Sequence, residues 1–381
     1  MRAGFGSASI TPGLPVHLAG FGGRTEAVTS VHDDLEARTL YLKDGDVALC
    51  IVVCDLLGMS PTYSRPVREA IAEESGLPLE AVLVACTHTH QGPSVMTGTE
   101  ALGWPNPPNY EDVLRDGCLA SARAAIAGAR DASLRYARVP LADGFAFNRR
   151  GGAYDDPWFA VLDVRASDAS RIGVVANMGI HPVLLGPGWA SVATDWVGPF
   201  RRELESLAGG SAVELTGALG DINPTPPLGA PGETYEPWAS AEDTDAYGRR
   251  LAAVVASALD RVQPLDGPLA IVRSETEEIA VGGTGLSVLQ GEPSMLVEFV
   301  EWAIGDVRLV SIPGEGFHLL GAEISASRDD RILLAGISPS WHGYLPVPWP
   351  KTGEEGYEEG VSFGRDAVAA MRSKLLERPA G

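Results

Sequence analysis

The sequence predicts a layered α/β or α+β fold in which a mixed β-sheet core is flanked by helices. Three observations predict it. Short β-branched apolar runs are interleaved with longer runs of helical length, several short runs end directly in polar residues of metal-ligand type, and long Pro- and Gly-rich segments separate the elements. The runs Val47–Cys54, 81–86, 172–176, Val307–Ile312 and 332–337 are brief, continuously apolar and rich in Val and Ile, which marks strands buried on both faces. Longer runs at 64–75, closed by Gly76, and at 110–129 read as helices. So do 196–208, closed by Gly209 and Gly210, 243–262, and a last run at 360–377. A hydrophobic content of 45% over 381 residues supplies material for a substantial core.

Three loops are long for plain connectors: 98–109 (GTEALGWPNPPN), 223–238 (NPTPPLGAPGETYEPW) and 344–356 (YLPVPWPKTGEEG). Each combines prolines with Trp or Tyr, the composition of lids and pocket walls, and we expect them around a metal cleft. With no internal repeat, low-complexity tract or linker, residues 1–381 read as a single domain. Lys and Arg number 29 against 50 Asp and Glu, a net charge of −21 that repels nucleic acid and anionic membranes. A small-molecule partner is therefore expected, without nucleic acid or stable membrane association. No basic start followed by an apolar run opens the chain, and no stretch approaches the roughly 20 apolar residues that span a bilayer, so a cytoplasmic location is expected. Cys50, Cys54, Cys86 and Cys118 sit in or beside apolar runs without CxxC spacing and read as core thiols.

The chemistry collects where strands end. The run 81–86 leads into Thr87-His88-Thr89-His90, 172–180 into His181-Pro182, and Val307–Ile312 into Pro313-Gly314-Glu315. The segment 212–219 leads into Gly220-Asp221-Ile222-Asn223-Pro224, and Val47–Cys54 into Asp55. Loops diverge at the carboxyl ends of strands and leave ligand-binding crevices. Of the 7 histidines, His17 and His318 read as ordinary hydrogen-bonded imidazoles. His88 and His90 differ, because residues i and i+2 of an extended chain point the same way and a His-x-His pair at a strand end signals metal. Zinc suits imidazole nitrogen and carboxylate oxygen, and two His with a Glu leave one position open for water. Spacing alone does not bring His88, His181 and Glu315 together. Asp55 reads as a structural cap in preference to a second-metal ligand.

Further segments complete an ordered set. Ile10-Thr11-Pro12 precedes Leu18-Ala19-Gly20-Phe21, 31–38 reads VHDDLEAR, and 87–93 reads THTHQGP. Phe147-Asn148-Arg149, His181-Pro182 and Asp195 follow, then 215–224 (LTGALGDINP), Pro313-Gly314-Glu315, His342-Gly343-Tyr344 and Tyr357-Glu358. This set resembles the neutral, non-lysosomal ceramidase family, whose segments ITP, (M/L)AG(Y/F), IHDxLxAR, THTHSGP, NxNR, HP, GxxGD(V/I)(S/N)P, PGE, HxY and YE come in the same order. The resemblance spans that family's catalytic region nearly end to end, and its carboxyl-terminal immunoglobulin-like domain is not expected here.

The resemblance implies a metal-dependent amidohydrolase with one catalytic zinc ion held by His88, His181, Glu315 and Tyr344. It gives His90 a proton-shuttling role, Arg149 a substrate-fixing role through its planar fork, and Tyr357 the stabilisation of an oxyanion. Gln91 stands where the family has Ser. Asn223 occupies the GD(V/I)SP serine once regarded as a nucleophile, which argues for attack by metal-activated water. Gln91, Asp221 and Asn223 are assigned to substrate binding, with turn capping as the alternative for the last two. A soluble small-molecule amide is expected in preference to membrane ceramide, because the acidic balance opposes docking on anionic bilayers. Ceramidase activity proper, ester, lactone or cyclic amide hydrolysis and the reverse condensation use the same chemistry. A non-catalytic binding module is the remaining alternative.

Overall fold

The computed structural model describes residues 1–154, 157–225, 239–282, 293–329 and 331–378. Two mixed sheets form its centre. Among the described residues the larger is 9-stranded, in the order β4 (Val82–Cys86), β3 (Val47–Cys54), β2 (Glu36–Asp44), β1 (Arg2–Ser9), β5 (Arg130–Pro140), β7 (Trp158–Ala166), β8 (Arg171–Met178) and β9 (Ser211–Thr216), with β11 (Gln263–Pro264) on β5. Its pairs are antiparallel apart from β3 with β4 and β8 with β9. The smaller runs β12 (Leu269–Ala280), β13 (Ser294–Ile304), β14 (Val307–Ile312), β16 (Ile332–Gly336), the last two parallel. Two short ladders join β6 (Ala146–Asn148) to β10 (Ile222–Pro224) and β15 (Glu315–Gly316) to β17 (Tyr344–Leu345).

Strand alternation sorts the side chains into layers. In β3, Leu49, Ile51 and Val53 enter a core shared with Trp302, Leu309 and Leu333 of the smaller sheet. Cys50, Val52 and Cys54 join instead the core that holds Leu114 and Cys118 of helix Tyr110–Ala127 and Val67 of helix Pro61–Ser75. Both faces are covered, so the run is apolar throughout. In the smaller sheet Leu333 and Ala335 face the larger one, while Ile332 and Leu334 pack with Leu320, Ile324, Val368 and Met371 of helices His318–Ala326 and Arg365–Leu376. A third core sets Phe200, Leu204, Tyr247, Leu251 and Val255 of helices Val197–Ala208 and Ala241–Ala258 against Val174, Ala176 and Ala212. Helices, sheet, sheet and helices follow in layers, the α+β architecture that the sequence predicts.

The buried parallel strands lie where their apolar runs place them. Strands β5 and β12 escape detection because their exposed faces carry Arg, Glu and Ser, as in LAIVRSETEEIA of β12, and β13 because Glu298 and the buried Glu301 interrupt its apolar run. The expected last helix at 360–377 begins only at Arg365 and runs to Leu376, after Gly364 with φ 96°, and a separate turn at Tyr357–Gly360 precedes it. All four cysteines are free and buried, with Cys54 Sγ and Cys118 Sγ 3.5 Å apart. Of the three long loops, 98–109 turns Trp104 inward, its indole donating to Phe21 O at 3.0 Å, 344–356 opens as β17, and 226–238 lies outside the described residues. No described helix is long and apolar enough to cross a membrane.

The sheets are fastened to each other at the ends that carry the polar residues. The buried Asn177 side chain at the end of β8 donates to Leu215 O at 2.6 Å and Leu334 O at 2.8 Å and accepts from Leu334 N at 2.8 Å. It acts as a peptide group would, stitching β8 and β9 to β16. The Thr216 hydroxyl at the end of β9 lies 3.2 Å from Thr87 O, just past β4. Strand ends far apart in sequence thereby meet.

Candidate metal centre

His88 follows β4 in a turn. Its backbone N–H donates to Leu56 O at 2.9 Å and its φ is 70°, a left-handed conformation uncommon for residues other than Gly. His88 and His90 are therefore not alternate positions of an extended strand, and their proximity comes from this turn. His88 Nδ1–H donates to Leu57 O at 2.6 Å, which aims Nε2 inward. His181 is anchored in the same manner, its backbone N–H and Nδ1–H reaching Ile222 O at 3.0 and 3.1 Å. Asp195, at φ 55°, accepts from Leu184 N at 3.1 Å, Leu185 N at 2.9 Å and Trp196 N at 2.8 Å, and the Trp196 indole donates to His181 O at 3.0 Å. These bonds pin the loop after His181.

Glu315 Oε2 lies 3.1 Å from His88 Nε2 and 3.3 Å from His181 Nε2, while Oε1 accepts the Trp341 indole N–H at 2.9 Å. His90 completes the cluster, its ring centroid 4.9 Å from that of His88 and 5.9 Å from that of His181. Ligand atoms of His88, His90 and His181 all lie within 4.8 Å of one another. Phe21 packs on His90 at 4.7 Å between centroids.

The electrostatics suit a cation. Burial, reinforced by the neighbouring imidazoles, holds His90 well below the ordinary histidine value, and burial brings His181 down to about 4. For Glu315 burial acts upward, but His88 and His181 outweigh it and keep the carboxyl well below its usual range. With Nδ1–H of His88 and His181 donated to carbonyls that can only accept, Nε2 is the nitrogen that each ring turns toward the Glu315 carboxylate. His88 Nε2 and both nitrogens of His90 have no hydrogen-bond partner despite their burial. Buried donors and acceptors are ordinarily paired. Converging imidazole lone pairs and a carboxylate form the donor set of a zinc-type ion, and the residues present fit one.

The other predicted residues surround this cluster. Tyr344 is buried and stands opposite Glu315 in the β15–β17 ladder, with burial pushing its phenol well up. Tyr357 meets its ring edge to face at 5.9 Å. Tyr357 keeps 59% of its surface exposed, yet crowding at its hydroxyl and then the Glu315 charge push the phenol up to about 12. Arg149 lies 5.4 Å over the Tyr344 ring, donates from Nε to Glu358 Oε1 at 3.0 Å and from Nη2 to Gly220 O at 2.7 Å. Asp221 accepts from His318 N at 2.7 Å and His318 Nδ1 at 2.6 Å, capping helix His318–Ala326. Gln91 donates to Gly186 O at 3.0 Å and accepts from Arg24 Nη2 at 2.9 Å. Asn223 is buried in β10 opposite Phe147.

Asp55 is structural: its carboxylate accepts from Arg201 at 2.8 and 2.6 Å, from Glu36 N at 2.9 Å and from Thr87 Oγ1 at 3.2 Å. Sequence reasoning missed Trp341, Arg24 and Asn177. Trp341 directly precedes the His342-Gly343-Tyr344 segment, the one signal that singles it out.

Among solved structures, the chain superposes on a neutral ceramidase from Pseudomonas aeruginosa with a TM-score of 0.82 at 16% identity, over 98% of this chain and 73% of that one. A ceramidase complexed with C2 gives a TM-score of 0.82 at 16% identity, over 98% and 74%. No known family's sequence profile and no curated protein sequence matches the chain. The chain has the fold of neutral ceramidase, as its ordered motifs imply.

Proposed function

We propose that this protein is a zinc-dependent hydrolase of an amide bond in a small N-acyl molecule, with His88, His181, Glu315 and Tyr344 holding the ion. The observation that carries this reading is the convergence of His88 Nε2 and His181 Nε2 on one oxygen of Glu315, at 3.1 and 3.3 Å, within a neutral ceramidase fold. Zinc in such a site supplies Lewis-acid polarisation of a carbonyl and hydroxide near neutral pH.

The chain's own groups supply the rest. His90, kept neutral by burial, holds a lone pair that can take a proton and return it to the leaving amine. The Tyr357 phenol stays protonated and donates to the substrate oxygen as negative charge develops there. Arg149, held by Glu358 and Gly220 O, braces Tyr344 and is the group to which we assign the fixing of substrate. Asn223, Asp221 and Gln91 shape the substrate wall, the last two through the loops they anchor. A net charge of −21 favours a soluble substrate over ceramide in an anionic bilayer.

The test pairs metal analysis of the purified protein with a panel of short N-acyl amides, esters, cyclic amides and detergent-solubilised ceramide. The expected result is zinc bound to the chain and amide turnover that a chelator abolishes and zinc restores, both lost in His88→Ala. Full turnover by metal-free protein would overturn the scheme. Bound zinc without turnover on any substrate would favour a binding module, and turnover of ceramide alone would replace the small-molecule reading.

A further inference from the structure

The two oxygens of Glu315 have different surroundings. Oε2 faces His88 and His181, at 3.1 and 3.3 Å, whereas Oε1 accepts the indole N–H of Trp341 at 2.9 Å. Trp341 is 5% exposed, and Gly58 and Met59 set its position. Its backbone N–H donates to Met59 O at 2.7 Å. Its side chain lies against Gly58, where an added Cβ would stand 2.9 Å from Trp341 Cβ and 3.0 Å from Cγ. The same segment orients His88, through Leu56 O at 2.9 Å and Leu57 O at 2.6 Å. One stretch of chain after β3 thus aims His88 directly and Glu315 through Trp341.

We propose that Trp341 is a positioning residue for the metal centre: by occupying Oε1 it holds Glu315 as a ligand through Oε2 alone, and the absence of a side chain at residue 58 gives the indole its place. The inference rests on the zinc-site reading above. A carboxylate can bind an ion through one oxygen or both, and a donor fixed on the outer oxygen selects the first mode while holding the group's orientation. Partners of this kind are worth roughly 10–100-fold in metal affinity.

Zinc retention against a competing chelator, and the visible spectrum of the cobalt-substituted protein, test this without reference to turnover. Trp341→Phe is expected to weaken zinc retention roughly 10–100-fold. It should also reduce the intensity of the cobalt d–d band, as the freed Oε1 joins the ion and raises its coordination number. In a Glu315→Asp background, whose shorter side chain keeps a carboxylate but draws it back from the indole, adding Trp341→Phe should change zinc retention by less than about two-fold, because the indole no longer positions the group. Equal losses in both backgrounds, or wild-type retention with an unchanged cobalt spectrum, would overturn the proposal. Should Trp341→Phe fail to fold, 3-benzothienylalanine at position 341 keeps the ring shape and removes only the N–H. Zinc retained by His88→Ala would defeat the zinc-site reading itself, whereas zinc lost there but unaffected in both position-341 variants defeats only the role of Trp341.

Discussion

Gly20 sets the position of His90 by leaving room for it. A Cβ at residue 20 would fall 2.4 Å from His90 Cγ and 2.5 Å from Nδ1, and φ is 106°. Gly20→Ala should therefore displace the imidazole and strain the turn, lowering kcat at least 10-fold while costing about 1 kcal/mol or more of stability; steady-state kinetics and urea titration read the two effects. Wild-type kcat in a folded Gly20→Ala protein would dissociate His90 from proton transfer. Tyr357 offers the opposite balance, since its ring is largely exposed while its phenol stays protonated. Tyr357→Phe should leave unfolding within about 0.5 kcal/mol of wild type and lower kcat about 100-fold with little change in KM, the signature of a donor used in the transition state. At this scale the sequence marks His88, His90, His181 and Glu315 by their places at strand ends. It does not mark the turn at His88, because a left-handed φ at a histidine is imposed by Leu56 O and Leu57 O rather than by local preference.

Strands become legible where burial on both faces coincides with an unbroken apolar run; β2 and β7 are as buried, yet Arg38 and Thr39 in one and Asp163 in the other break the run. β3, β4 and β14 are covered on both faces and read as apolar runs, whereas β12 leaves Glu275 to Glu278 exposed and loses that signal. The contact that orders the strands relative to one another is less legible still. Asn177 sits in an apolar strand as one polar residue, and its three hydrogen bonds to Leu215 O, Leu334 O and Leu334 N become visible only once β8, β9 and β16 are side by side. Asn177→Ala removes these bonds and leaves buried backbone groups unpaired, at an expected cost of about 2–4 kcal/mol in urea unfolding. Because β8 leads to His181 and β14, the neighbour of β16, leads to Glu315, the same substitution should weaken zinc retention although Asn177 belongs to neither ligand. A stability loss with unchanged zinc retention would show that other contacts set the separation of those strand ends.

At the scale of the molecule, the site exists because the two ends of the larger sheet approach each other, a property that periodicity does not encode and that only the ordered motifs suggest. Buried polar groups fasten this closure. Arg201 of helix Val197–Ala208 grips Asp55 after β3, Arg38 of β2 donates to Ala212 O of β9 at 2.8 Å, and Thr216 of β9 reaches Thr87 O at 3.2 Å. Glu214 lies among them, 1% exposed, with its Oε2 3.0 Å from Thr216 Oγ1. Burial, only partly offset by the Thr216 hydroxyl and Arg201, pushes its carboxyl up from 4.5 to about 8. A protonated Glu214 can donate to Thr216 Oγ1, leaving the Thr216 proton for Thr87 O, so the neutral acid completes the chain of bonds across the closure. The sign of the linkage follows. Between pH 4.5 and about 8 the folded state retains a proton that the unfolded chain has released, so this group's contribution is fully present below pH 4.5 and is lost as pH rises through about 8. Glu214→Gln keeps the hydrogen-bonding capacity and removes the titration. Its unfolding free energy relative to wild type should therefore improve steadily from pH 5 to pH 8, by up to a few kcal/mol, in urea titrations at matched ionic strength. A constant offset across that range would mean that Glu214 is ionised in the folded state and that Arg201, not a proton, neutralises it.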